Sequence, residues 1–251
     1  MQNIDKLFHF FVDNFPSLKL ISWLFPISIL WSFLALFIAG FCKKKLQWKT
    51  GYTRKLFHFF IFISAFFYQS CFQLQGVFIL GWSVTIAILY ACLKGNGNLF
   101  YEALAREKDA PFRTKYIIYS YLATFFGGVI SNLLFGKFAI YGYAITGIAD
   151  AIAEPIGTMF GKHPYRVFSF DKSKISYRSI EGSLAVFAAS FFIPFLILNP
   201  FDPTFSINYV WLFTIAIICT LTEAFSPSGF DNMLLQIAAS FLFSIFVVYN
   251  H

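Results

Sequence analysis

Charged side chains are scarce in this chain of 251 residues, of which 12% are Asp, Glu, Lys or Arg. Soluble domains contain about 25% of these residues. Hydrophobic residues make up 58% of the chain, and 37 of them are Phe. A globular core cannot bury so much apolar surface, so the composition excludes a soluble enzyme and a disordered protein. The sequence therefore predicts an integral membrane protein.

Cysteine is also rare, and its four positions match neither a metal site nor a disulfide framework. The net charge of +7 is compatible with binding to nucleic acid or to a membrane surface. In a membrane protein, however, the position of each charge says more than the total. We therefore expect the lipid bilayer as a partner and no nucleic acid, and the sequence leaves the oligomeric state open.

The N-terminal residues 1–19 lack the basic start of a secretory signal, and Asp5, Lys6 and Asp13 interrupt their apolar run. One helical face carries the apolar side chains Ile4, Leu7, Phe8, Phe11 and Phe15. This pattern predicts a short helix in the membrane interface. Residues 20–251 are expected to form a single transmembrane helical domain.

Long stretches without charged residues predict the membrane spans. About 20 apolar residues, rising 1.5 Å each, cross roughly 30 Å of hydrocarbon. The chain predicts about eight such spans: 20–42, two within 56–93 with a hinge at 73–76, 116–136, 138–160, 182–201, 203–222 and 232–250. Backbone groups in lipid must bond internally and the runs are too long for barrel strands, so the fold class is all-α.

The basic residues predict the orientation of these spans. If the loop after the first span is cytoplasmic, 16 of the 19 basic residues fall in cytoplasmic loops, as the positive-inside rule requires. The ionisable groups close to membrane boundaries gather at the same side. The sequence therefore predicts a multi-pass protein with its functional site at the cytoplasmic face.

Two carboxylates lie within the predicted span 138–160. Asp150 and Glu154 are four residues apart and share one helix face. Carboxylates in a span are costly and mark functional sites. Three interpretations remain open: an ion pair with a basic residue of another helix, a metal ligand, or a proton relay. Pro155 favours a break of the helix near Glu154.

A basic loop at 161–178 follows this span and contains five Lys or Arg residues. Such side chains bind phosphate oxygens, although a loop of this kind also contacts anionic lipid. The stretch 178–183 then brings a cation, hydroxyls, an acid and a glycine to a helix start, where free amides favour anions. An ordinary N-cap formed by Ser179 is the alternative.

Ionisable residues also open the second predicted span and flank the turn 225–230. Arg54 and His58 share a helix face with Lys55 beside them, and His58 suits a general base or a phosphate donor. Turn chemistry explains Asp231 as a helix cap. It does not explain Glu223, which ends an otherwise uncharged span.

Four stretches, in this order, resemble the CTP-dependent lipid-alcohol kinases, the family of dolichol kinase, phytol kinase and yeast-type diacylglycerol kinase. They are 54–58 (RKLFH), 150–163 (DAIAEPIGTMFGKH), 178–183 (RSIEGS) and Glu223 with Asp231 and Asn232. The two middle stretches are also similar to the phosphatidate cytidylyltransferases. Ala149, Arg178 and Gln236 stand where the kinases usually have Gly, Lys and Pro.

The resemblance implies transfer of the γ-phosphate of CTP to the hydroxyl of a membrane lipid alcohol such as phytol, a polyprenol or diacylglycerol. It implies Mg²⁺ as cofactor, with Asp150, Glu154 and Asp231 as ligands, and Asp150, Glu154 and His58 as catalytic residues. The residues implied in binding nucleotide and phosphate are Arg54, Lys55, Lys162, His163, Arg178, Ser179, Glu181, Gly182 and Asn232.

Two alternatives to the kinase stay open. A cytidylyltransferase would let a lipid phosphate attack the α-phosphorus of CTP and release pyrophosphate. A transporter would use the Asp150 and Glu154 pair to bind cations or relay protons, although the sequence contains no internal repeat. The gathering of charge at one face favours an enzyme over a path across the membrane.

Overall fold

The computed structural model describes residues 2–168, 176–201, 208–227 and 229–249. Apart from one short hairpin, the regular structure of these residues is helical. The helices are α1 (Gln2–Asp13), α2 (Leu18–Lys45), α3 (Thr50–Lys94), α4 (Leu99–Leu104), α5 (Arg113–Phe135), α6 (Ala139–Ile145), α7 (Ala151–Phe160), α8 (Ile180–Phe201), α9 (Tyr209–Phe225) and α10 (Asp231–Tyr249).

Membrane-spanning character is clear for much of this bundle. Four stretches are long and apolar enough to cross a membrane: Leu18–Lys45, Thr50–Lys94, Arg113–Phe160 and Ile180–Ile197. The helices at Tyr209–Phe225 and Asp231–Phe246 are apolar but shorter. The chain is thus a helical membrane protein, while the count of eight crossings stays a prediction. Residues 202–207, at the predicted start of the seventh span, lie outside the described residues.

The helix α3 consists of two limbs that meet at Gln73, where φ is 54° and ψ is −153°. This break lies within the predicted hinge at 73–76. Trp23 of α2 contacts Phe72, and farther along α2 the Trp31 indole donates to Ser64 Oγ, so the first limb runs antiparallel to α2. The second limb returns beside it, since Phe33 contacts Tyr90.

The predicted span 138–160 is not one regular helix. A 3₁₀ turn at Gly136–Phe138 precedes α6, and a π-helical turn at Thr146–Asp150 separates α6 from α7. The expected break at Glu154 is wrong, because α7 continues through Pro155. Pro155 lacks the backbone N–H that would donate to the carbonyl oxygen of Ala151, the first residue of α7. The hydrogen-bonding pattern already changes from π to α at this residue, so the missing bond does not end the helix. π turns often occur at functional sites, and this one ends at Asp150.

The basic loop after α7 contains regular structure that the all-α prediction missed. Strand β1 (Pro164–Val167) pairs antiparallel with β2 (Ser176–Ser179), with Tyr165 opposite Arg178. Residues 169–175, which include Lys172 and Lys174 of the basic loop, lie outside the described residues. The hairpin leads directly into α8 and so fixes the position of Arg178.

One end of the bundle, which we call the site end, is where α2 ends and α3 begins. There the 3₁₀ turn Glu107–Asp109 packs on α3, because Glu107 accepts hydrogen bonds from Thr50 and pairs with Lys43. Thr53 donates to the carbonyl oxygen of Ala103 in α4. The loops between α2 and α3 and between α3 and α5 therefore lie at the same end.

The amphipathic helix α1 lies toward the opposite end. The Phe11 ring stacks on Phe78 at a centroid distance of 5.9 Å, and Phe15 contacts Trp82 at 5.6 Å. Both partners follow soon after the break in α3, far from the site end. The helix exists as predicted, while its place in the membrane interface and the domain boundary at residue 19 stay predictions.

Close packing of α6 on α10 depends on Gly142. A Cβ atom there would lie 2.6 Å from the carbonyl oxygen of Gln236. We expect Gly142→Ala to lower the free energy of unfolding by about 1–3 kcal/mol through overpacking, measured by denaturation in detergent. Gly81→Ala is the control, because nothing lies within 4 Å of an added Cβ at that position. Equal stability of the two variants would contradict this packing.

Candidate active site

Asp150 is the centre of a buried polar network at the site end. It is 3% exposed at the end of the π turn, and its Oδ2 atom lies 2.5 Å from Lys55 Nζ and 3.4 Å from His58 Nε2. The two partners are three residues apart on the first limb of α3, so both reach the same carboxylate. The charge of Asp150 is thereby neutralised inside the bundle.

Glu154, one turn further along α7, pairs with Arg54 of α3. Arg54 Nη2 lies 3.4 Å from Glu154 Oε2. Gly51 allows this approach, because a Cβ there would lie 2.5 Å from Glu154 Oε1. Of the three interpretations that the sequence left open, the ion pair with a basic residue of another helix is the one that the structure shows for both acids. The metal-ligand and proton-relay interpretations stay predictions. Arg54 keeps one buried Nε without a hydrogen-bond partner.

Asn232, the second residue of α10, connects this network to α5. Its Nδ2 donates to Thr124 Oγ1 at 3.1 Å and lies 3.4 Å from His58 Nδ1. His58 Nε2 lies 3.3 Å from the carbonyl oxygen of Thr146. These contacts suit a neutral imidazole that donates through Nε2 and accepts through Nδ1. Asn232 Oδ1 is buried without a partner.

Arg178 of the hairpin joins α9 to α10. Its Nε lies 2.8 Å from Glu223 Oε1, its Nη2 lies 3.2 Å from Asp231 Oδ2, and its Nη1 donates to the carbonyl oxygens of Glu223 and Ser226. Burial lowers the pKa of Arg178, but the attraction of Asp231, Glu223 and Asp150 outweighs it and raises the pKa overall. The contact also explains Glu223, for which the sequence offered no account.

Two cations of the loop after α4 complete the network and were not singled out from the sequence. The charge of Arg54, followed by burial, lowers the pKa of Arg106. Partial removal of water, followed by the charge of Arg106, lowers the pKa of Lys108, which also interacts with Glu154. The signal was present in the sequence as a basic loop, but only the fold brings these two residues to Glu154.

The remaining predicted phosphate ligands form a separate cluster where the hairpin meets α8. Glu181 accepts from the backbone N–H of Lys162 at 3.0 Å and lies 2.8 Å from His163 Nδ1, and the His163 side chain is 69% exposed. Ser179 Oγ accepts from the N–H of Gly182 at 3.1 Å, as the N-cap alternative predicts. At the start of α8 the N–H of Gly182 is thus taken by the Ser179 hydroxyl and not left free for an anion. Phosphate binding here stays a prediction.

The carboxylates of the site are the candidate ligands for a metal ion. Among the residues that the structure describes, no three His, Cys, Asp or Glu side chains are grouped to hold a metal ion. Asp150, Glu154 and Asp231 each contact a protein cation instead. The donors nevertheless suit Mg²⁺, which binds one or two carboxylates together with substrate phosphates. Asn232 Oδ1 is an additional buried oxygen that lacks a partner.

An apolar cavity of about 460 Å³ opens from this network into the bundle. Arg54, Lys55, His58 and Asn232 line its polar end. Most of the remaining lining consists of aliphatic and aromatic side chains from both limbs of α3 and from α5. Cations and an imidazole at one end of an apolar cavity have the chemistry that suits a molecule with a polar head and a hydrocarbon chain.

Sequence comparison finds similarity to two curated lipid kinases. Over 108 residues the chain is 31% identical to a phytol kinase of Synechocystis sp., which covers 42% of each chain. Over 214 residues it is 27% identical to a dolichol kinase of Saccharomyces cerevisiae, which covers 81% of this chain and 38% of the relative. The chain therefore spans about two-fifths of the length of these curated relatives. No family model and no solved structure matches it.

The buried pair of Lys55 and Asp150 is expected to dominate the stability of the site end. Lys55→Met should lower the free energy of unfolding by about 3–5 kcal/mol, because Asp150 is left as a buried charge without its closest partner. The double variant Lys55→Met/Asp150→Asn should lose less free energy of unfolding than the two single variants lose together, as measured by denaturation in detergent.

Arg113→Met is the matched control for this cycle. This variant breaks the ion pair between Arg113 Nη2 and Glu102 Oε2, which lie 2.6 Å apart at the same end. Because these side chains are more accessible than those of Lys55 and Asp150, the loss in free energy of unfolding should be smaller. Additive effects of the Lys55 and Asp150 variants would contradict a direct interaction between these two residues.

Proposed function

We propose that this protein transfers the γ-phosphate of CTP to the hydroxyl of a membrane lipid alcohol. The observation that carries the proposal is the position of the buried network, where Lys55 and His58 line the polar end of an apolar cavity and contact Asp150. The likeness to proteins named phytol kinase and dolichol kinase supports the same chemistry.

The alcohol binds with its hydroxyl at His58. This residue lines the cavity, and its Nε2 lies 3.4 Å from Asp150 Oδ2. The His58 and Asp150 pair accepts the proton of the hydroxyl as the alcohol oxygen attacks the γ-phosphorus. A bond forms between that oxygen and phosphorus, the bond from phosphorus to the β,γ-bridging oxygen breaks, and CDP leaves with the electron pair.

The triphosphate binds to the cations at the site end. Phosphoryl transfer depends mainly on positioning and on neutralising charge. Arg54, Lys55, Arg106 and Lys108 supply four positive charges around Glu154. Arg178 holds the start of α10 in place through Asp231. Because Arg54 has a buried donor without a partner, it can bind a phosphate oxygen without giving up an existing hydrogen bond from that atom.

Asp150, Glu154 and Asp231 are the carboxylates that would hold Mg²⁺ together with the nucleotide, and Asn232 Oδ1 is a further oxygen donor without a partner. When bound, the ion neutralises charge on the phosphates. The positive-inside distribution of basic residues supports a cytoplasmic position for this end.

Replacing Asp150 tests the proposal. In the purified protein in mixed lipid with Mg²⁺, Asp150→Asn should reduce transfer from CTP to phytol, polyprenol or diacylglycerol by about a hundredfold or more. Membrane insertion should persist. Glu102→Gln is the control, since it removes a carboxylate paired with an arginine at the same end but outside the network. Substantial activity of Asp150→Asn would contradict the assignment.

The position of the label in CTP separates the kinase from its alternatives. Label from the γ-phosphate in a lipid product, with CDP released, supports the kinase. Label from the α-phosphate, with phosphatidate as acceptor and pyrophosphate released, identifies a cytidylyltransferase. Ion uptake into proteoliposomes without nucleotide turnover favours the transporter. Each result contradicts the other two assignments.

Lys108 should contribute to binding of the nucleotide and not to the chemical step. We expect Lys108→Ala to raise the KM for CTP about three- to fivefold with little change in kcat, because one exposed ion pair contributes up to about 1 kcal/mol. Lys94→Ala is the control: it removes an exposed cation at the same end that lies over the Tyr90 ring. An equal rise in KM for both variants would show a general charge effect.

A further inference from the structure

The cavity reaches much deeper than the polar network requires. Along α5 its lining runs from Ile117 to Asn132, a distance of about 22 Å at 1.5 Å per residue. The hydrocarbon core of a bilayer is about 30 Å thick. The cavity therefore follows most of the bundle from the site end toward the opposite end, as a long chain lying parallel to the helices would require.

The deep end of the cavity is covered by α1. Phe10, Phe11 and Phe15 belong to the lining, and Phe11 and Phe15 rest on Phe78 and Trp82 of the second α3 limb. The amphipathic helix thus forms the end of the cavity that lies opposite to the polar end lined by Lys55 and His58. We call this end the floor.

The polar lining residues Tyr121, Asn132 and Tyr143 are hydrogen-bonded to other protein groups. Tyr121 and Thr85 share a hydrogen bond of 2.5 Å between their hydroxyl oxygens. Asn132 Nδ2 donates to the Tyr143 hydroxyl at 2.6 Å, and Gln69 Nε2 donates to Asn132 Oδ1 at 2.8 Å. A hydrocarbon chain can lie against such a wall without leaving these groups unpaired.

Gly81 keeps space free close to this floor. It lines the cavity between Phe78 and Trp82 in sequence, and a Cβ added to it meets nothing within 4 Å. The space beside Gly81 is therefore open at the position that a Cβ atom would take. Glycine here is required neither by close packing nor by an unusual backbone conformation.

We propose that the hydrocarbon chain of the acceptor lies in this cavity with its end at α1, and that Gly81 and the α1 phenylalanines set the length of chain accepted. This inference rests on the proposed function for the identity of the acceptor. We place a hydrocarbon chain in the cavity because one apolar space reaches from Lys55 and His58 to the aromatic floor.

A series of linear prenols of increasing length tests the proposal. Gly81→Phe should lower kcat/KM for the longest accepted alcohols about tenfold or more while short ones react normally, because the new ring occupies the space of the chain end. The double variant Phe11→Ala/Phe15→Ala should shift acceptance toward longer chains. Phe8→Ala is the control, since Phe8 lies on the same helix, is 65% exposed and does not line the cavity.

Binding of an alcohol brominated at its chain end gives a readout independent of transfer. Bromine in contact with Trp82 quenches its fluorescence, and Trp82→Phe should remove this quenching. An unchanged length preference in both Gly81→Phe and the α1 double variant overturns the inference, as does equal quenching by a brominated alkane without a hydroxyl. Quenching that depends on chain length, without transfer from CTP to any alcohol, leaves the chain site standing and refutes the proposed function.

Discussion

The contact between Asp150 and Lys55 is the interaction on which the site end depends. A carboxylate that is 3% exposed in a membrane protein cannot stay ionised without a nearby positive charge. Lys55 supplies this charge from α3, and His58 contacts the same oxygen. Because Asp150 needs this counter-charge, α3 packs against the π turn before α7. The contact joins two parts of the chain that are almost a hundred residues apart.

Two further basic residues repeat this arrangement across other helices. Arg54 joins α3 to α7 through Glu154, and Arg178 joins the hairpin to α9 and α10 through Glu223 and Asp231. The network lies at the polar end of the apolar cavity. In the reaction that we propose, its cations bind the phosphates and the cavity holds the lipid.

Sequence reasoning predicted much of the fold because lipid imposes simple rules. Charge-free runs predicted the helical segments, and the polar residues at 73–76 predicted the break that occurs at Gln73. The break expected at Pro155 was wrong, since a π turn before Asp150 absorbs the irregularity. The hairpin was missed because its short strands have no periodic pattern. Arg106 and Lys108 were missed because their role depends on a loop folding back over α3.

The sequence by itself determined that the chain is a helical membrane protein, since the cost of charge in lipid restricts where charged residues occur. That Arg54, Lys55, His58, Asp150 and Asn232 serve one site is what the family resemblance implies, and their catalytic and binding roles stay predictions. Only the tertiary structure decided which acid contacts which base, and that Lys162, His163 and Glu181 form a separate cluster. These contacts join residues that are far apart in the sequence. They depend on how the helices pack, which local sequence patterns do not determine.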